Sequence, residues 1–162
     1  MTNRTEWIES KAKERMSQNF VRTVLELSGY RVMAFGIENH NQEIIKEIKS
    51  NYRWETNRRL LSMPDFVIVD EDSKKSWITE VKHRTFKENL DIRNLTVRFK
   101  QGQMRDYLAF WREATLILTF NVKPYCLCID LNKVDWSIHL KEKITGRDNR
   151  TEEVWKFTGI CE

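Results

Sequence analysis

Cysteine is scarce in this sequence, and its spacing excludes two common uses. There are three cysteines, an odd number without a C-x-x-C pair, which argues against a disulfide framework and a zinc knuckle. Cys126 and Cys128 alternate along an apolar run, so we expect both in the core, on one face of a strand. The histidines stand apart from one another and from the cysteines, which leaves a zinc site little support. We therefore expect a reduced, intracellular protein.

Long apolar stretches are also missing. No segment approaches the roughly 20 apolar residues that span a bilayer, and residues 1–16 lack the apolar stretch of a signal peptide. We expect a cytoplasmic protein with no membrane partner. Repeats, low-complexity tracts and linkers are absent as well. A chain of 162 residues with 40% hydrophobic content has the length of a single domain, residues 1–162, with one sizeable core.

Charged residues are abundant, but neither sign dominates strongly. Twenty-eight Lys and Arg against 24 Asp and Glu leave a net charge of +4. This balance permits a nucleic-acid partner without demanding one, and it is equally consistent with a soluble basic protein.

Apolar spacing predicts alternating helices and strands. Residues 6–28 follow a helical period that stops at Gly29, a suitable C-cap, and residues 85–98 are predicted to be a charged loop. No structure can be assigned to residues 132–162. The remaining predictions are strands over 30–37, 65–70, 76–83, 114–120 and 124–131 and helices over 41–54 and 98–113. The last two strands are apolar enough to be covered on both faces. The order indicates an α/β sandwich with a mixed sheet.

Three ionisable residues of the predicted hairpin, residues 65–83, converge on one of its faces. A register whose paired residue numbers sum to 145 sets Asp65 opposite Glu80, and the side-chain period of two places Lys82 on the same face. Two close carboxylates repel each other unless a divalent cation neutralises both. Mg²⁺ suits this pair because it takes hard oxygen ligands and typically keeps waters with one or two carboxylates.

Val81 and Lys82 would complete such a site. The Val81 carbonyl can add a ligand if the strand bends there, and Lys82 is placed to orient or deprotonate a metal-bound water. The metal would also stabilise charge on a phosphate oxygen. The structural alternative is a salt bridge from Lys82 to one of the two acids on a wet sheet face, worth about 0–1 kcal/mol. The hydrophobic context and the hairpin register favour a site.

Pro64-Asp65 followed by Glu80-Val81-Lys82 resembles the motif of the PD-(D/E)xK nuclease superfamily. Residues 13–39 look like the first helix and strand of its restriction-endonuclease-like and Holliday-junction-resolvase-like branches, and the similarity covers residues 11–120. The resemblance implies a restriction-endonuclease-like core, with a mixed central β-sheet flanked by helices. It also implies hydrolysis of phosphodiester bonds in DNA, preferably as an endonuclease, with Mg²⁺ as cofactor and Mn²⁺ as a substitute.

The first helix departs from the family pattern. Those branches commonly carry a metal-binding Glu about three turns before the glycine, but Gln18 stands at this position. Glu14 lies one turn earlier on the same face and could reach the metal directly or through water, while Gln18 could offer its amide oxygen. A solvated Glu14 and a packing role for Gln18 are equally consistent with the sequence.

Gln103 and Tyr107 resemble the Q-x-x-x-Y element of the RecB-like and exonuclease branches. The i, i+4 spacing places both on one helix face, where Gln103 could act in catalysis and Tyr107 could contact a phosphate or base of the scissile strand. Tyr107 is equally suited to the core, and Gln101 is a rival for the role of Gln103.

Basic residues concentrate after the site-bearing strand, and two more precede the hairpin. We expect them to follow a phosphate backbone past the metal, with strongly salt-dependent binding. The predicted nucleic-acid contacts are Arg58, Arg59, Arg84, Lys87, Arg93, Arg98, Lys100, Arg105 and Tyr107.

Three questions stay open at the level of sequence. RNA remains a possible substrate because the active-site residues would be identical. A homodimer is plausible because many relatives of the superfamily work in pairs. The rival to a nuclease is a catalytically inactive nucleic-acid-binding or assembly module that retains the fold, and Gln18 is its best support.

Overall fold

The computed structural model describes residues 4–37, 42–86, 97–135, 140–145 and 151–157. Helices and strands alternate along these segments, as the sequence predicts. The elements are α1 (Arg4–Leu27), β1 (Tyr30–Ala34), α2 (Gln42–Ser50), α3 (Glu55–Leu61), β2 (Phe66–Asp70), β3 (Ser76–Arg84), β4 (Val97–Lys100), α4 (Gln101–Phe110), β5 (Thr115–Phe120), β6 (Cys126–Asp130), β7 (Leu140–Thr145) and β8 (Thr151–Phe157).

A mixed five-stranded sheet forms the centre, with the order β1-β2-β3-β5-β6. Strands β1, β2 and β3 pair antiparallel, β3 pairs parallel with β5, and β5 pairs antiparallel with β6. A parallel pair needs a long crossover, and here β4 and α4 lie within the connection between β3 and β5. The predicted α/β class with a mixed sheet is confirmed.

Helices cover the sheet on both faces because its strands carry apolar residues on both. Helix α1 packs on β1 and β3, where Val21 joins a buried cluster with Val32 and Ile117. Helix α4 covers the other face, and its Met104 packs with Leu116 in the larger buried cluster. Strand β5 contributes to both clusters, so the prediction that it is covered on both faces is confirmed.

Gly29 ends the first helix as the sequence predicts. Its φ of 89° lies in the left-handed region, where a residue without Cβ has no steric penalty. The backbone N–H of Gly29 donates to the carbonyl of Glu26 at 3.1 Å. The chain then enters β1 directly.

Two parts of the secondary-structure prediction are wrong. Residues 55–61 form α3, which the sequence analysis did not predict, and residues 98–100 belong to a strand rather than to the start of a helix. That strand, β4, pairs with β8 in a second sheet of order β4-β8-β7. The pairing of β4 depends on β8, which is distant in sequence, so the local sequence pattern around residues 97–100 does not predict it.

The expected core position of Cys126 and Cys128 is also wrong. Both cysteines are exposed and free. They lie on β6, which ends the five-stranded sheet and is only partly covered. The continuous apolar sequence of β6 predicted that both of its faces would be covered. An edge strand, however, lacks a neighbouring strand on one side.

Among the helices of the described segments, none has the length and apolar content needed to cross a membrane.

Candidate metal and nucleic-acid site

The hairpin places the predicted acids side by side. Val67 pairs with Ile78 and Phe66 with Thr79, so paired residue numbers sum to 145 as predicted. Asp65 directly precedes β2 and continues this register toward Glu80. Both acids are buried, with 5% and 3% of their surfaces exposed. Burial of two carboxylates is costly unless each is hydrogen-bonded or paired with a cation.

Asp65 is held by neutral donors from two other elements. Its Oδ2 accepts the backbone N–H of Val81 at 2.8 Å, and its Oδ1 accepts the amide of Gln18 at 2.7 Å. Its own carbonyl accepts the N–H of Phe35 at 2.8 Å. These contacts fix the carboxylate at the junction of α1, β1 and β3 but bring it no positive charge.

Glu80 and Lys82 form a close ion pair on one face of β3. The Lys82 side chain is mostly buried, and burial alone would lower the pKa of its ammonium. The negative charges of Glu80, Asp65 and Glu14 outweigh that effect and raise the pKa of Lys82 above its ordinary value. The same face carries Leu116 and Leu118 as the β5 partners of Glu80 and Lys82.

Tyr107 of α4 reaches the same acids, and Gln103 lies beside Tyr107 on the same helix. Tyr107 is buried, and burial together with the charge of Glu80 and a hydrogen bond to Glu80 raises the pKa of its hydroxyl well above the ordinary value. The amide of Gln103 lies 3.4 Å from the Tyr107 hydroxyl. Gln103 also lines the cavity beside Lys82, whereas its rival Gln101 lines a different cavity between α3 and α4.

Gln18 and Glu14, the two residues of α1 that were predicted to help hold the metal, differ in their distance from the acids. Gln18 contacts Asp65 through its amide nitrogen, so its oxygen would face the site only with the amide reversed, an orientation that the hydrogen-bond partners decide. Glu14 is partly buried, lies 2.6 Å from the ammonium of Lys11, and lines the cavity next to Lys82. The helix thus supplies one acid near the site and one amide in contact with it.

The donor set fits a small hard cation. Two buried carboxylates, those of Asp65 and Glu80, act on one ammonium, that of Lys82, so acids outnumber bases among these three groups. Mg²⁺ needs one or two carboxylates with waters, and the Val81 carbonyl lies in the same strand. Over the described ranges no group of three or more His, Cys, Asp or Glu side chains is gathered for metal binding, which disfavours an all-protein cage of the zinc type.

A cavity of about 630 Å³ opens beside Lys82, between the N-terminal half of α1 and strands β3 and β4. Its acids all come from α1, whereas its bases come from both sides. The basic side chains are Lys13, Lys82, Arg84, Arg98 and Lys100, and the acidic ones are Glu6, Glu9 and Glu14. The sequence analysis did not select Lys13, Glu6 or Glu9, because their membership depends on how α1 packs on the sheet.

The basic residues that were predicted to contact nucleic acid form two groups in the described part of the structure. Arg84, Arg98 and Lys100 line this cavity, although Arg84 also packs its guanidinium 5.0 Å from the centre of the Phe99 ring. Burial lowers the pKa of Arg84 below its ordinary value. Lys87 and Arg93 lie outside the described residues.

The second group of basic residues surrounds the α3–α4 contact. Arg58 and Arg105 both contact the carboxylate of Asp106, and Arg59 lies 5.5 Å from the centre of the Trp111 ring. Tyr52 donates to Asp106 at 2.5 Å. The sequence analysis missed Tyr52 and Asp106, since no spacing in the chain links residues more than fifty positions apart.

His83 anchors α1 to the sheet. Its Nδ1 lies 3.1 Å from the Ser17 hydroxyl and 3.2 Å from the Thr119 hydroxyl. Burial, followed by the nearby charges of Lys13 and Arg84, lowers the pKa of His83. A neutral imidazole therefore suits this position as a packing and hydrogen-bonding residue.

No family model and no curated protein matches the chain. Among solved structures, the chain is similar to Hjc, a Holliday junction resolvase from the archaeal hyperthermophile Archaeoglobus fulgidus, with 13% sequence identity and a TM-score of 0.45. The similarity covers 90% of this chain and 84% of that chain.

Proposed function

We propose that this protein is a metal-dependent nuclease that hydrolyses phosphodiester bonds in DNA. One observation carries the proposal: Asp65 and Glu80, two buried carboxylates of neighbouring strands, lie together with Lys82 beside an open cavity lined by basic residues. A purely structural salt bridge would need one acid for one base. Here two carboxylates, those of Asp65 and Glu80, act on the one ammonium of Lys82, and a divalent cation would neutralise the remaining acid.

The residues divide the chemistry among them. Asp65, Glu80 and the Val81 carbonyl would hold Mg²⁺ or Mn²⁺, and the bound ion would supply charge stabilisation at a phosphate oxygen. Lys82, whose ammonium stays charged because the neighbouring acids raise its pKa, would orient the attacking water. Gln103 and Tyr107 border the acids from α4 and position the scissile phosphate. Glu14 adds negative charge beside Lys82, and Gln18 fixes the orientation of Asp65.

The basic lining supports a polyanionic substrate. Arg98 and Lys100 are exposed on β4 and lie at the cavity that contains Lys82. A phosphate backbone that follows them would pass the two acids. Binding should therefore weaken steeply with salt. DNA is the proposed substrate, and RNA is the alternative that a substrate panel decides.

A second candidate is a catalytically inactive nucleic-acid-binding module with the same fold. The hydrogen bond from Gln18 to Asp65 favours it, because a neutral amide occupies a position where related nucleases place an acid. The two candidates make opposite predictions about metal. A nuclease takes up Mg²⁺ and cuts, whereas the module binds nucleic acid with the same affinity in Mg²⁺ and in chelator.

The test is cleavage of plasmid and branched DNA in Mg²⁺ or Mn²⁺ by the wild type and by Asp65→Asn, Glu80→Gln and Lys82→Ala. Glu71→Gln is a matched control because Glu71 lies in the same hairpin, exposed and 4.0 Å from Arg31. We expect nicking that requires metal, is lost in the three site variants and persists in the control. Equal residual nicking in all variants would contradict the proposal.

A further inference from the structure

A second cavity lies beside the metal site, between α3 and the first turns of α4. Its volume is about 590 Å³, within the range of about 300–1,000 Å³ that small-molecule sites occupy. Tyr107, which is hydrogen-bonded to Glu80, and its neighbour Gln103 also line this cavity. A group bound here would therefore lie next to the two side chains that the proposed function assigns to the scissile phosphate.

The walls combine an aromatic ring, an aliphatic side chain and amides. Tyr52 and Leu61 supply the apolar surface, while Gln101 and Gln103 supply groups that both donate and accept hydrogen bonds. Nucleobases have the matching properties, a flat π-face and an edge of donors and acceptors. Pockets for extruded bases read the edge by hydrogen bonds and hold the ring between aromatic or apolar side chains.

A buried carboxylate keeps one wall in place. Asp106 has 2% of its surface exposed and accepts the Tyr52 hydroxyl at 2.5 Å and the Nε of Arg58 at 3.1 Å. Arg58 also lies 5.4 Å from the centre of the Phe110 ring. These contacts tie α3 and the preceding Tyr52 to α4, so the cavity has a fixed shape before any ligand enters.

The two cavities meet at Lys100 and Gln103, which line both. A strand in the basic cavity therefore has a route to the second one past these two side chains. A base stacked within a duplex cannot take that route. It must be unpaired already or be flipped out at a cost of a few kcal/mol, which is least where pairing is already absent.

We propose that the second cavity binds one unpaired nucleotide of the substrate strand, adjacent to the bond that is cut. This inference rests on the proposed nuclease function and deepens it. The substrate class becomes nucleic acid with an unpaired nucleotide beside the cut, as at a branch, an overhang or a mismatch. Fully paired duplex is the poorer substrate.

Gly102 offers a way to fill this cavity without touching the metal site. It lines the cavity, and among the described residues no atom outside its chain neighbours and the nearby backbone of its own helix lies within 4 Å of the position that a Cβ would take. Gly102→Leu places a side chain in the cavity, and Gly102→Ala is the matched control that adds one methyl group. Both replace glycine in a helix, which favours folding, and thermal unfolding checks this.

The experiment measures the affinity of each protein for two labelled duplexes that differ by one unpaired nucleotide. Fluorescence anisotropy in Ca²⁺, a hard cation with the same preference for oxygen ligands, reports binding. We expect the wild type and Gly102→Ala to prefer the unpaired nucleotide by about tenfold, consistent with stacking of one base. Gly102→Leu should reduce the preference to about twofold or less.

Cleavage in Mg²⁺ separates this inference from the proposed function. If the wild type cuts DNA but binds both duplexes equally, or if Gly102→Leu keeps the full preference, the cavity assignment is overturned and the nuclease stands. If no metal-dependent cleavage occurs but the preference is present and is lost in Gly102→Leu, the nuclease proposal fails and the cavity remains a nucleotide-binding site.

Discussion

Two regions of this molecule bury carboxylates beside basic side chains, and they balance charge in opposite ways. On the hairpin, Asp65 and Glu80 share one ammonium, that of Lys82. Between α3 and α4, the single carboxylate of Asp106 receives several donors. These donors are Tyr52, Arg58 and Arg105.

The difference distinguishes a candidate cation site from a structural cluster. Buried charge is costly until partners compensate it. The Asp106 cluster already contains more positive than negative charge, so it needs nothing further to be stable. The hairpin cluster has an excess of acid beside an open cavity, and a divalent cation would remove that excess.

The largest effect is expected on catalysis by Glu80→Gln. The substitution keeps the shape of the side chain but removes one of the two charges that would hold the ion. Cleavage in Mg²⁺ should fall by about a thousandfold, which corresponds to about 4 kcal/mol of transition-state stabilisation. Single-turnover cleavage rates measure it. A fall below tenfold would mean that Glu80 is not a metal ligand.

The next effect is on stability, through Asp106→Ala. Loss of the buried acid removes the charge-assisted hydrogen bonds that join α3 to α4, and the free energy of unfolding should drop by about 3 kcal/mol. Urea unfolding measures it, and calorimetric Mn²⁺ uptake should be unchanged. Glu26→Ala is the control, since the exposed Arg22–Glu26 pair should contribute less than about 0.5 kcal/mol. An equal loss of unfolding free energy in the two variants would contradict the stabilising role of the Asp106 cluster.

Metal itself should stabilise only one of the two clusters. At a free Mg²⁺ or Mn²⁺ concentration of about thirty times Kd, mass action adds about 2 kcal/mol to the stability of the folded wild type. Thermal unfolding in metal and in chelator measures the shift. Asp65→Asn should abolish it, whereas Asp106→Asn should retain it. A shift that survives in Asp65→Asn would place the ion elsewhere.

The smallest effect concerns Thr79, next to Glu80 on the opposite face of β3. Its hydroxyl is buried and has no hydrogen-bond partner within the described part of the chain. Thr79→Val replaces an unsatisfied polar group with a methyl group of similar shape and should raise stability by about 1 kcal/mol. Urea unfolding measures the change in stability. Unchanged cleavage by the same variant would show that packing at Thr79 does not affect the proposed site on the opposite face of β3. A loss of stability would mean that the hydroxyl has a partner.

Local patterns predicted the hairpin register because side chains in a strand alternate with a period of two. The pairing of β2 with β3 confirms this register, and the ion pair between Glu80 and Lys82 shows that these two side chains share one face of β3. Local patterns gave a wrong prediction for Cys126 and Cys128, because the apolar sequence around them is typical of a buried strand. Whether a strand lies at the edge or inside a sheet depends on pairing order, which alternation does not encode.

The sequence by itself determined the order of most elements, the end of α1 at Gly29 and the register of the hairpin that carries Asp65 and Glu80. These features follow from short-range periodicity and backbone preference. Only the tertiary structure decided that Gln18 contacts Asp65, that α3 joins α4 through Asp106, and that two cavities meet at Gln103. Such contacts join residues tens of positions apart, and their energies depend on burial that exists only after the sheet and helices have packed.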